Sequence, residues 1–522
     1  MAEPTTFIET IDKPGALVAV ELLHAYGIRH VVVSPGSRCA PLTVAMHRSG
    51  YFDLHVVIDE RSAAFVALGM ALALGETVAL VCTSGSAVLN YAPALAEALY
   101  RKVPLVAISA DRPMDMIDQR DSQTIRQAGA LGAVVRRSVD IADVADHHYL
   151  RYANRLMNEA LTAATTPIPG PVHINIQFDV PLTPMANRHV PETARKINLA
   201  PTKRVPDIEI GSLVRPSDKV MIVAGGYCPD EQLRRVLQRL SEANKAVVIA
   251  EAQSNLHGFV QSPEFESANP SAPDVLITLG GSIISARLKS YLRNCGNLRH
   301  ISLGADDNFN DTYFALETCI DSEPANFLEL IEATLESSTV FCRSWQNGVR
   351  RTPSCDALQT IIDMLPGHDV HFSNGSAARY AQLLHYPVSC RVECNRGVSG
   401  IEGATSTAIG YAMVSERPVV LVTGDMSAAY DVAAFSLRGI PESFKIVVLD
   451  NEGGDIFRAV ATTRSLPERE EFFATRPNLP LEGLCRAYGF AYFTEAGEFC
   501  SHQGSPAVLR LTVPQGDAAK IL

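Results

Sequence analysis

Two polar turns near the C-terminus carry residue types that bind metal ions. Asp425 comes just after the apolar run Pro418–Val422, and Asn451 comes just after the run Lys445–Leu449. Each run is typical of a buried strand that ends in a polar turn, where open α/β sheets place their ligands. Carboxylate, amide and carbonyl oxygens suit Mg²⁺, and a diphosphate can complete the octahedron. The sequence therefore predicts a metal and diphosphate site at this edge of a sheet.

Glu60 is a second candidate for chemistry, because it lies where an apolar strand passes into a helix. A carboxylate held partly desolvated at such a position can share a proton with a ring nitrogen. The alternative is an ordinary acidic residue at a helix N-terminus, which the helix dipole favours. Considered by itself, Glu60 is better explained as an ordinary acidic residue at a helix N-terminus. Considered together with the metal motif, it is better explained as a carboxylate that shares a proton with a ring nitrogen.

Anion binding is indicated by polar turns after two other strands. Ser37 and Arg38 follow the predicted strand His30–Val33, and Arg112 follows the predicted strand Val103–Ser109. A guanidinium at the carboxyl end of a strand is well placed to bind an anion. A simple Pro-Gly turn is the alternative for the first stretch.

The chain also repeats itself at an offset of 341 residues. The matched residues of the first copy are Ala63, Ala67, Gly69, Ala71, Val78, Leu80, Val81, Ser86 and Ala87. Chance matching of small residues is the alternative, but both copies read as helix, strand and turn in the same order, which favours two homologous domains. Ser84 replaces Asp425 and Glu60 replaces Ile401, so one copy would supply the metal site and the other a carboxylate.

Length and composition set the class of protein. A chain of 522 residues is too long for one core and predicts about three domains. The net charge of −12, with no basic run, argues against nucleic acid as a partner. The N-terminus resembles no signal peptide and no apolar run is long enough to span a membrane, so we expect a cytoplasmic protein. The 11 cysteines are scattered, which favours reduced thiols.

Strands alternate with helices along the whole chain, which predicts an α/β fold of doubly wound parallel sheets. The predicted domains are 1–185, 207–335 and 355–522, and the Pro-rich stretch Pro181–Pro206 is interpreted as a linker. The dipeptide Gly225-Gly226 follows a strand, but it lacks a nucleotide-binding fingerprint and is interpreted as a tight turn.

Eight motifs in one order make the resemblance specific: SPGSR, DERSAAFVALG, CTSGSA, ADRP, SQTIRQ, NRGVSGIEG, GDMSAAYD and NEGGDIFR. Together they resemble the 2-succinyl-5-enolpyruvyl-6-hydroxy-3-cyclohexene-1-carboxylate synthases, thiamine-diphosphate enzymes of menaquinone biosynthesis. The resemblance implies pyrimidine-binding, central and diphosphate-binding domains. It also implies a homodimer or tetramer with active sites between subunits. The implied reaction decarboxylates 2-oxoglutarate and adds the succinyl unit to isochorismate.

Roles for individual residues follow from the same resemblance. Mg²⁺ or Mn²⁺ would be held by Asp425, Asn451 and the Gly453 carbonyl. Thiamine diphosphate would be bound by Ile401, Ser427, Ala428, Ile456, Phe457 and the catalytic Glu60. The two polyanionic substrates would be bound by Ser37, Arg38, Arg112, Gln123, Arg287, Arg379 and Arg396. Ordinary core packing is the alternative for the apolar members of this set.

The chain departs from the family pattern at several positions. Met426 and Asp450 differ from the usual GDG and NN forms of the metal motif. Family members commonly carry Lys-Arg where this chain has Ala286-Arg287, and Lys289 is near enough in sequence to replace the missing lysine. Gly375 likewise replaces a serine.

Two rival interpretations remain open from the residues alone. An acetolactate-synthase-like carboligase fits the fold and Glu60 equally well, but it does not explain the arginine-rich set. A non-catalytic paralogue fits the departures, but it does not explain intact Glu60, Asp425 and Asn451.

Overall fold

The computed structural model describes residues 8–182, 185–188, 191, 194–199, 210–261, 270–306, 308–345 and 351–520. These residues form an α/β architecture of three parallel sheets, together with a small antiparallel pair of strands. The predicted fold class is confirmed. The contacts between residues divide the chain into two compact units. No helix within the described ranges has both the length and the apolar character needed to cross a bilayer.

The first unit contains the described residues up to 199, with Gly397–Glu416 and Asp431–Pro441 added from later in the chain. Its N-terminal elements are β1 (Ile8–Ile11), α1 (Pro14–Ala25), β2 (His30–Val33), α2 (Ala40–Ser49), β3 (Asp53–Val56), α3 (Glu60–Leu74), β4 (Val78–Cys82), α4 (Ala92–Arg101), β5 (Leu105–Asp111), β6 (Arg137–Ile141), α5 (His147–Ala163), β7 (Val172–Gln177) and β8 (Met185–Arg188). The parallel sheet has the order β3-β2-β4-β5-β7-β6. Strands β4, β5 and β7 are buried along their whole length, as expected for a sheet covered on both faces.

The second unit contains two sheets. The elements of its first part are α6 (Ile210–Leu213), β9 (Val220–Ala224), α7 (Glu231–Glu242), β10 (Ala246–Ala250), β11 (Val275–Leu279), α8 (Ala286–Arg293), β12 (Arg299–Leu303), β13 (Leu316–Ile320), α9 (Pro324–Thr334) and α10 (Thr339–Ser344). This sheet has the order β10-β9-β11-β12-β13.

The last part of the chain carries the metal motif. Its elements are α11 (Pro353–Asp363), β14 (Asp369–Phe372), α12 (Ser376–Ala381), β15 (Val392–Cys394), α13 (Ala404–Val414), β16 (Val419–Gly424), α14 (Asp425–Tyr430), β17 (Lys445–Asp450), α15 (Ile456–Ala459), α16 (Leu481–Tyr488), β18 (Ala491–Phe493), α17 (Ala496–Ser501) and β19 (Ala507–Thr512). The sheet has the order β15-β14-β16-β17-β19-β18 and belongs to the second unit, whereas α13 belongs to the first.

The stretch interpreted as a linker contains a strand. Met185–Arg188 forms β8, which pairs with β1 in antiparallel register, Ile8 opposite Arg188. The sequence Met-Ala-Asn-Arg has no β-branched residue, so its pairing depends on a partner more than 170 residues away rather than on local propensity. Part of the remaining stretch lies outside the described residues.

The two copies of the internal repeat adopt the same local structure. The first copy forms α3 and β4, and the second forms α13 and β16, with both strands starting at matched positions. Helices α3 and α13 pack closely through matched glycines. A Cβ at Gly69 would come within 2.0 Å of the Thr407 carbonyl oxygen, and one at Gly410 within 2.1 Å of the Val66 carbonyl oxygen. Only glycine allows this approach of the two backbones.

Asp431 fixes the N-terminal turn of α13. Its carboxylate accepts the Ser406 amide N–H at 2.7 Å and the Ser406 hydroxyl at 3.0 Å. The group is fully buried, and desolvation raises the pKa of Asp431 to about 6, although the Ser406 bonds and the charge of Arg61 oppose the rise. The folded protein therefore holds a proton on Asp431 between about pH 4 and pH 6 that the unfolded chain releases.

This proton predicts a pH dependence of stability. Because the folded state binds more protons, the free energy of unfolding should fall as the pH rises from about 4 to about 6, by roughly 2–3 kcal/mol from Asp431. Urea unfolding at several pH values compares the wild type with Asp431→Asn, in which this contribution is absent. Equal pH slopes for the two proteins would contradict the prediction.

Candidate active site

The predicted metal ligands meet at one edge of the sheet in the second unit. In the parallel register of β16 and β17, Gly424 lies opposite Leu449, so the residues that follow the two strands emerge side by side. Asp425 is buried and accepts the Gly453 amide N–H at 2.8 Å. Burial raises the pKa of Asp425 to about 6, although the amide N–H groups of Gly453 and Met426 oppose the rise. A desolvated carboxylate of this kind gains from a nearby cation.

Asn451 supplies a second oxygen at the same edge of the sheet. Its side-chain Oδ1 is buried and accepts no hydrogen bond within the described part of the chain. An orphaned amide oxygen beside a desolvated carboxylate fits a hard divalent cation, which prefers oxygen ligands. The described residues contain no cluster of three or more His, Cys, Asp or Glu side chains that could hold a metal. A metal here therefore depends on amide and carbonyl oxygens as well as on Asp425.

The turn that carries Asn451 has little freedom. Gly453 has a φ of +118°, and a Cβ there would come within 2.0 Å of the Ala474 carbonyl oxygen. Arg458 donates to the carbonyl oxygens of Asn451 at 3.1 Å and Glu452 at 3.0 Å. The sequence analysis missed this role, although Arg458 is the last residue of the NEGGDIFR motif.

Space for a small ligand lies beside Asp425. A cavity of about 520 Å³ is bordered by Asp425, Asp450, Arg476, Tyr492 and Arg510, among others, and small-molecule sites have volumes of this order.

The residues predicted to contact the cofactor lie on α14 and α15. Ser427 and Ala428 are buried in α14, directly after Asp425. Ile456 and Phe457 begin α15, and the Phe457 ring lies 6.0 Å from the Phe473 ring.

In the first unit, Glu60 is the first residue of α3 and is half-buried. The preceding Asp59 caps the helix by accepting the Ser62 amide N–H at 3.1 Å. Since Asp59 provides the cap, the Glu60 carboxylate is not needed for it. Val56 and Ile58, which lead into the helix, are exposed.

Arg38 and Arg112 lie near each other in the first unit. Arg38 is buried and donates to the Phe178 carbonyl oxygen at 2.7 Å. Burial, and next the charge of Arg112, lower the pKa of the Arg38 guanidinium. Arg112 contacts Asp121 at 3.4 Å, while its buried Nε has no partner among the described residues. Asp179, Asp121 and Asp111 oppose the fall in the pKa of Arg38, so these carboxylates partly balance the two cations, and a bound anionic group would add to that balance.

Close backbone contacts hold the loops around this pair. A Cβ at Gly36 would come within 2.2 Å of the Thr83 side chain, so the turn that carries Ser37 requires glycine. Gln123 has a φ of +59° and donates to the Ser84 carbonyl oxygen at 3.0 Å. Ser37 and Gln123 are both exposed.

A second pair of arginines lies in the second unit. Arg379 donates to the Gly375 carbonyl oxygen at 2.8 Å, and Arg396 donates to Asn374 Oδ1 at 3.1 Å. Burial and then the charge of Arg396 lower the pKa of Arg379. Arg287, also predicted to bind substrate, is exposed on α8.

The loop that leads to Ile401 is held by a residue that the sequence analysis did not identify. The buried carboxylate of Glu97 accepts the amide N–H groups of Gly397 at 2.8 Å and Val398 at 2.7 Å. Glu97 lies on α4, far from the loop in sequence and outside the motifs, so only tertiary structure reveals the contact.

Comparison with known proteins shows which family of proteins the chain resembles. Residues 14–130 match the family model described as thiamine pyrophosphate enzyme, N-terminal TPP binding domain. Proteins named 2-succinyl-5-enolpyruvyl-6-hydroxy-3-cyclohexene-1-carboxylate synthase are similar over nearly the whole chain. The protein of Porphyromonas gingivalis is 37% identical, over 98% of this chain and 94% of its own. That of Christiangramia forsetii is 34% identical, over 96% of both chains. That of Desulfotalea psychrophila is 35% identical, over 94% of this chain and 96% of its own.

Proposed function

Because the chain belongs to the 2-succinyl-5-enolpyruvyl-6-hydroxy-3-cyclohexene-1-carboxylate synthase family of thiamine-diphosphate enzymes, we propose that it decarboxylates 2-oxoglutarate and adds the succinyl unit to isochorismate. The observation that carries the choice of substrates is the pairing of Arg38 with Arg112 and of Arg379 with Arg396. Like charges held close together in partly buried positions repel each other, and a bound carboxylate relieves the repulsion.

Separate residues would hold the metal ion and contact the cofactor. Asp425, Asn451 and the Gly453 carbonyl would hold Mg²⁺ or Mn²⁺, and the metal would bind the diphosphate of the cofactor. When bound, thiamine diphosphate supplies a nucleophilic thiazolium carbon and an electron sink for the charge left by loss of CO₂. Ile456 and Phe457 would provide an apolar wall that excludes water, and Ile401 would add to it.

Glu60 would hold and move a proton. Its half-buried carboxylate at the start of α3 would share a proton with a ring nitrogen of the aminopyrimidine. Glu60 would therefore hold and move its proton before either substrate reacts.

The arginines would orient the substrates. Both 2-oxoglutarate and isochorismate carry two carboxylates, and a guanidinium binds a carboxylate through two parallel N–H bonds. Ser37 and Gln123 are exposed beside the first arginine pair and would add neutral hydrogen bonds.

Decarboxylation assays with two 2-oxoacids test the proposal. With thiamine diphosphate and Mg²⁺ present, CO₂ release from 2-oxoglutarate should exceed release from pyruvate, because pyruvate has no second carboxylate. Faster release from pyruvate would favour an acetolactate-synthase-like enzyme instead. No release from either substrate, with cofactor bound, would favour a non-catalytic paralogue.

Removing single arginines should separate substrate binding from cofactor binding. We expect Ala variants of Arg38, Arg112, Arg379 and Arg396 to lose about one to two decades of kcat/KM for 2-oxoglutarate, isochorismate or both, since a charge-assisted hydrogen bond contributes roughly 1.5–3 kcal/mol. Steady-state kinetics with each substrate measures the loss.

Cofactor titration and melting temperature are the controls for these four variants: cofactor affinity should match the wild type, and the melting temperature separates lost substrate binding from lost stability. Arg235→Ala, which removes an exposed guanidinium from α7, is the matched charge control. Normal kinetics in all four variants would refute the substrate assignment and leave the cofactor site untouched.

Further features of the resemblance complete the proposal. They are a cytoplasmic location, three domains at 1–185, 207–335 and 355–522, and a homodimer or tetramer with active sites between subunits. Sedimentation velocity with and without cofactor tests the oligomeric state.

A further inference from the structure

Strand β7 carries a polar stripe inside the sheet of the first unit. Its sequence, Val-His-Ile-Asn-Ile-Gln, alternates, and all six residues are buried. Ile174 and Ile176 lie on one face of the strand, in the apolar core. The polar residues of the other face are His173, Asn175 and Gln177. Buried polar side chains are stable when their hydrogen bonds are made, so the partners of this stripe indicate what it does.

Asn175 is bonded to both neighbouring strands. In the parallel register it lies opposite Ser109 of β5 and Asp140 of β6. Its amide nitrogen donates to Asp140 at 2.7 Å and to Asp111 at 2.9 Å. Its amide oxygen accepts the Ser109 hydroxyl at 2.7 Å. The two carboxylates fix the orientation of the amide, so its oxygen faces hydrogen-bond donors.

Gln127 is a second donor to that oxygen, and it links the sheet to the loop after β4. It is the last residue of the SQTIRQ motif and is buried. Its amide nitrogen donates to Asn175 Oδ1 at 2.8 Å and to the Ala110 carbonyl oxygen at 3.2 Å. Its amide oxygen accepts the Gly85 amide N–H at 3.0 Å. Gln127 therefore uses both ends of its amide, and a carboxylate of the same shape cannot make all three bonds.

The Gly85 turn in turn supports Gln123, a residue predicted to bind substrate. Gly85 has a φ of +84°, and a Cβ there would come within 2.8 Å of the Gln123 side chain. Gln123 also donates to the Ser84 carbonyl oxygen at 3.0 Å. The bond between Gln127 and Gly85 thus fixes the turn against which Gln123 packs.

The loop that carries Arg112 is bonded to the same stripe. Asp111, which accepts from Asn175, also accepts the Arg112 amide N–H at 2.7 Å. Gln177 accepts the Met114 amide N–H at 3.1 Å. The loops after β4 and β5 are therefore both held by buried amides and carboxylates of the sheet beneath them.

We propose that Gln127, held by Asn175, is a positioning residue that fixes Gln123 and Arg112 relative to each other in the substrate site of the first unit. The inference rests on the proposed function and adds to it residues that lie outside the substrate set. Gln127 and Asn175 are buried whereas Gln123 is exposed, so the two amides act through the loops and not on the substrate. A network that serves stability alone is the alternative.

Gln127→Glu tests the role of the amide with little change of shape. The carboxylate keeps an oxygen for Gly85, but it faces two acceptors, the Ala110 carbonyl and Asn175 Oδ1, so the loop should shift. We expect kcat/KM for 2-oxoglutarate, isochorismate or both to fall about 10- to 100-fold, the scale of a misplaced binding group. The loss should lie mainly in KM, because uniform binding is lost. Cofactor affinity should match the wild type.

Ser109→Ala is the matched control, because it removes a buried hydroxyl from the same network. That hydroxyl bonds to Asn175 and, at 2.7 Å, to His173, which are both residues of β7. We expect a lower melting temperature with the KM values of the wild type. Gln127→Met is a milder second variant, because it removes the amide without adding a charge. It should show the same rise in KM as Gln127→Glu.

Calorimetric titration of the cofactor-loaded enzyme measures substrate binding without turnover. The probes are isochorismate alone and glutarate, a dicarboxylate without a 2-oxo group. For at least one probe we expect both Gln127 variants to bind at least about tenfold more weakly than the wild type, the lower end of the same range.

Normal KM and normal probe binding in a folded Gln127 variant would overturn this inference and leave the proposed function standing, even if the melting temperature falls. A rise in KM in Ser109→Ala as large as in Gln127→Glu would also overturn it, because the effect would not depend on the bond to Gly85. A wild type that binds neither probe and releases no CO₂ from 2-oxoglutarate would refute the proposed function, and this inference with it.

Discussion

Glu60→Gln is expected to lower turnover by about 10²–10⁴-fold while leaving thiamine diphosphate bound. An amide cannot share a proton with the pyrimidine nitrogen, so removal of the proton from the thiazolium carbon should slow. The substitution is nearly isosteric, and Asp59 rather than Glu60 caps α3, so the helix should be unaffected. Hydrogen–deuterium exchange at the thiazolium carbon, followed by NMR, measures this step without either substrate.

The matched control for this substitution is Glu76→Gln. Glu76 is an exposed carboxylate just beyond the C-terminal end of α3, so the change removes the same charge near the same helix. We expect wild-type exchange and wild-type turnover in this control. Exchange as fast as wild type in Glu60→Gln would show that Glu60 has another role.

Asp425→Ala is expected to abolish retention of thiamine diphosphate in the presence of Mg²⁺. The diphosphate would lose its bridging ion, and its oxygens would be left uncompensated. Calorimetric titration of the apoprotein with cofactor and Mg²⁺ measures the loss directly. A ligand that binds only the folded state raises the melting temperature, so the rise seen with cofactor and Mg²⁺ in the wild type should be absent in the variant.

Asp356→Ala is the comparison for this second experiment, because it removes an exposed carboxylate of the same unit that contacts only Arg351 among the described ion pairs. Glu60→Gln adds a variant that is inactive yet should still bind the cofactor. Unchanged cofactor affinity in Asp425→Ala would refute the metal assignment at this edge of the sheet.

Motif residues proved easier to place than the residues that support them. The last residue of a motif can have a supporting role. Arg458 is the last residue of NEGGDIFR and donates to the Asn451 carbonyl oxygen. Asp431 is the last residue of GDMSAAYD and accepts the Ser406 amide N–H at the start of α13. Glu97 carries no such signal, because one carboxylate on an amphipathic helix resembles any surface acid. Its two bonds to the loop before Ile401 exist only because α4 packs beside that loop.

The arginines predicted to bind substrate also differ in how well the sequence alone could place them. The sequence placed Arg38 and Arg112 after two strands of one sheet, β2 and β5, which are separated by β4, and parallel strands bring their carboxyl ends to one edge. It treated Arg287 as equal to Arg379 and Arg396, whereas the structure leaves Arg287 exposed and Lys289, two residues later, half-buried. Residues two positions apart on a helix lie on different faces, and the packing of α8 decides which face is buried.

By itself, the sequence determined the α/β class, the internal repeat and the approach of Asp425 to Asn451. Buried parallel strands read as short apolar runs followed by polar turns, and these signals are local in the sequence. Only the tertiary structure decided that Asn451 Oδ1 has no hydrogen-bond partner among the described residues, that β8 pairs with β1, and that Gly69 and Gly410 meet other backbones. Each of these depends on contacts between distant parts of the chain, for which local sequence carries no signal.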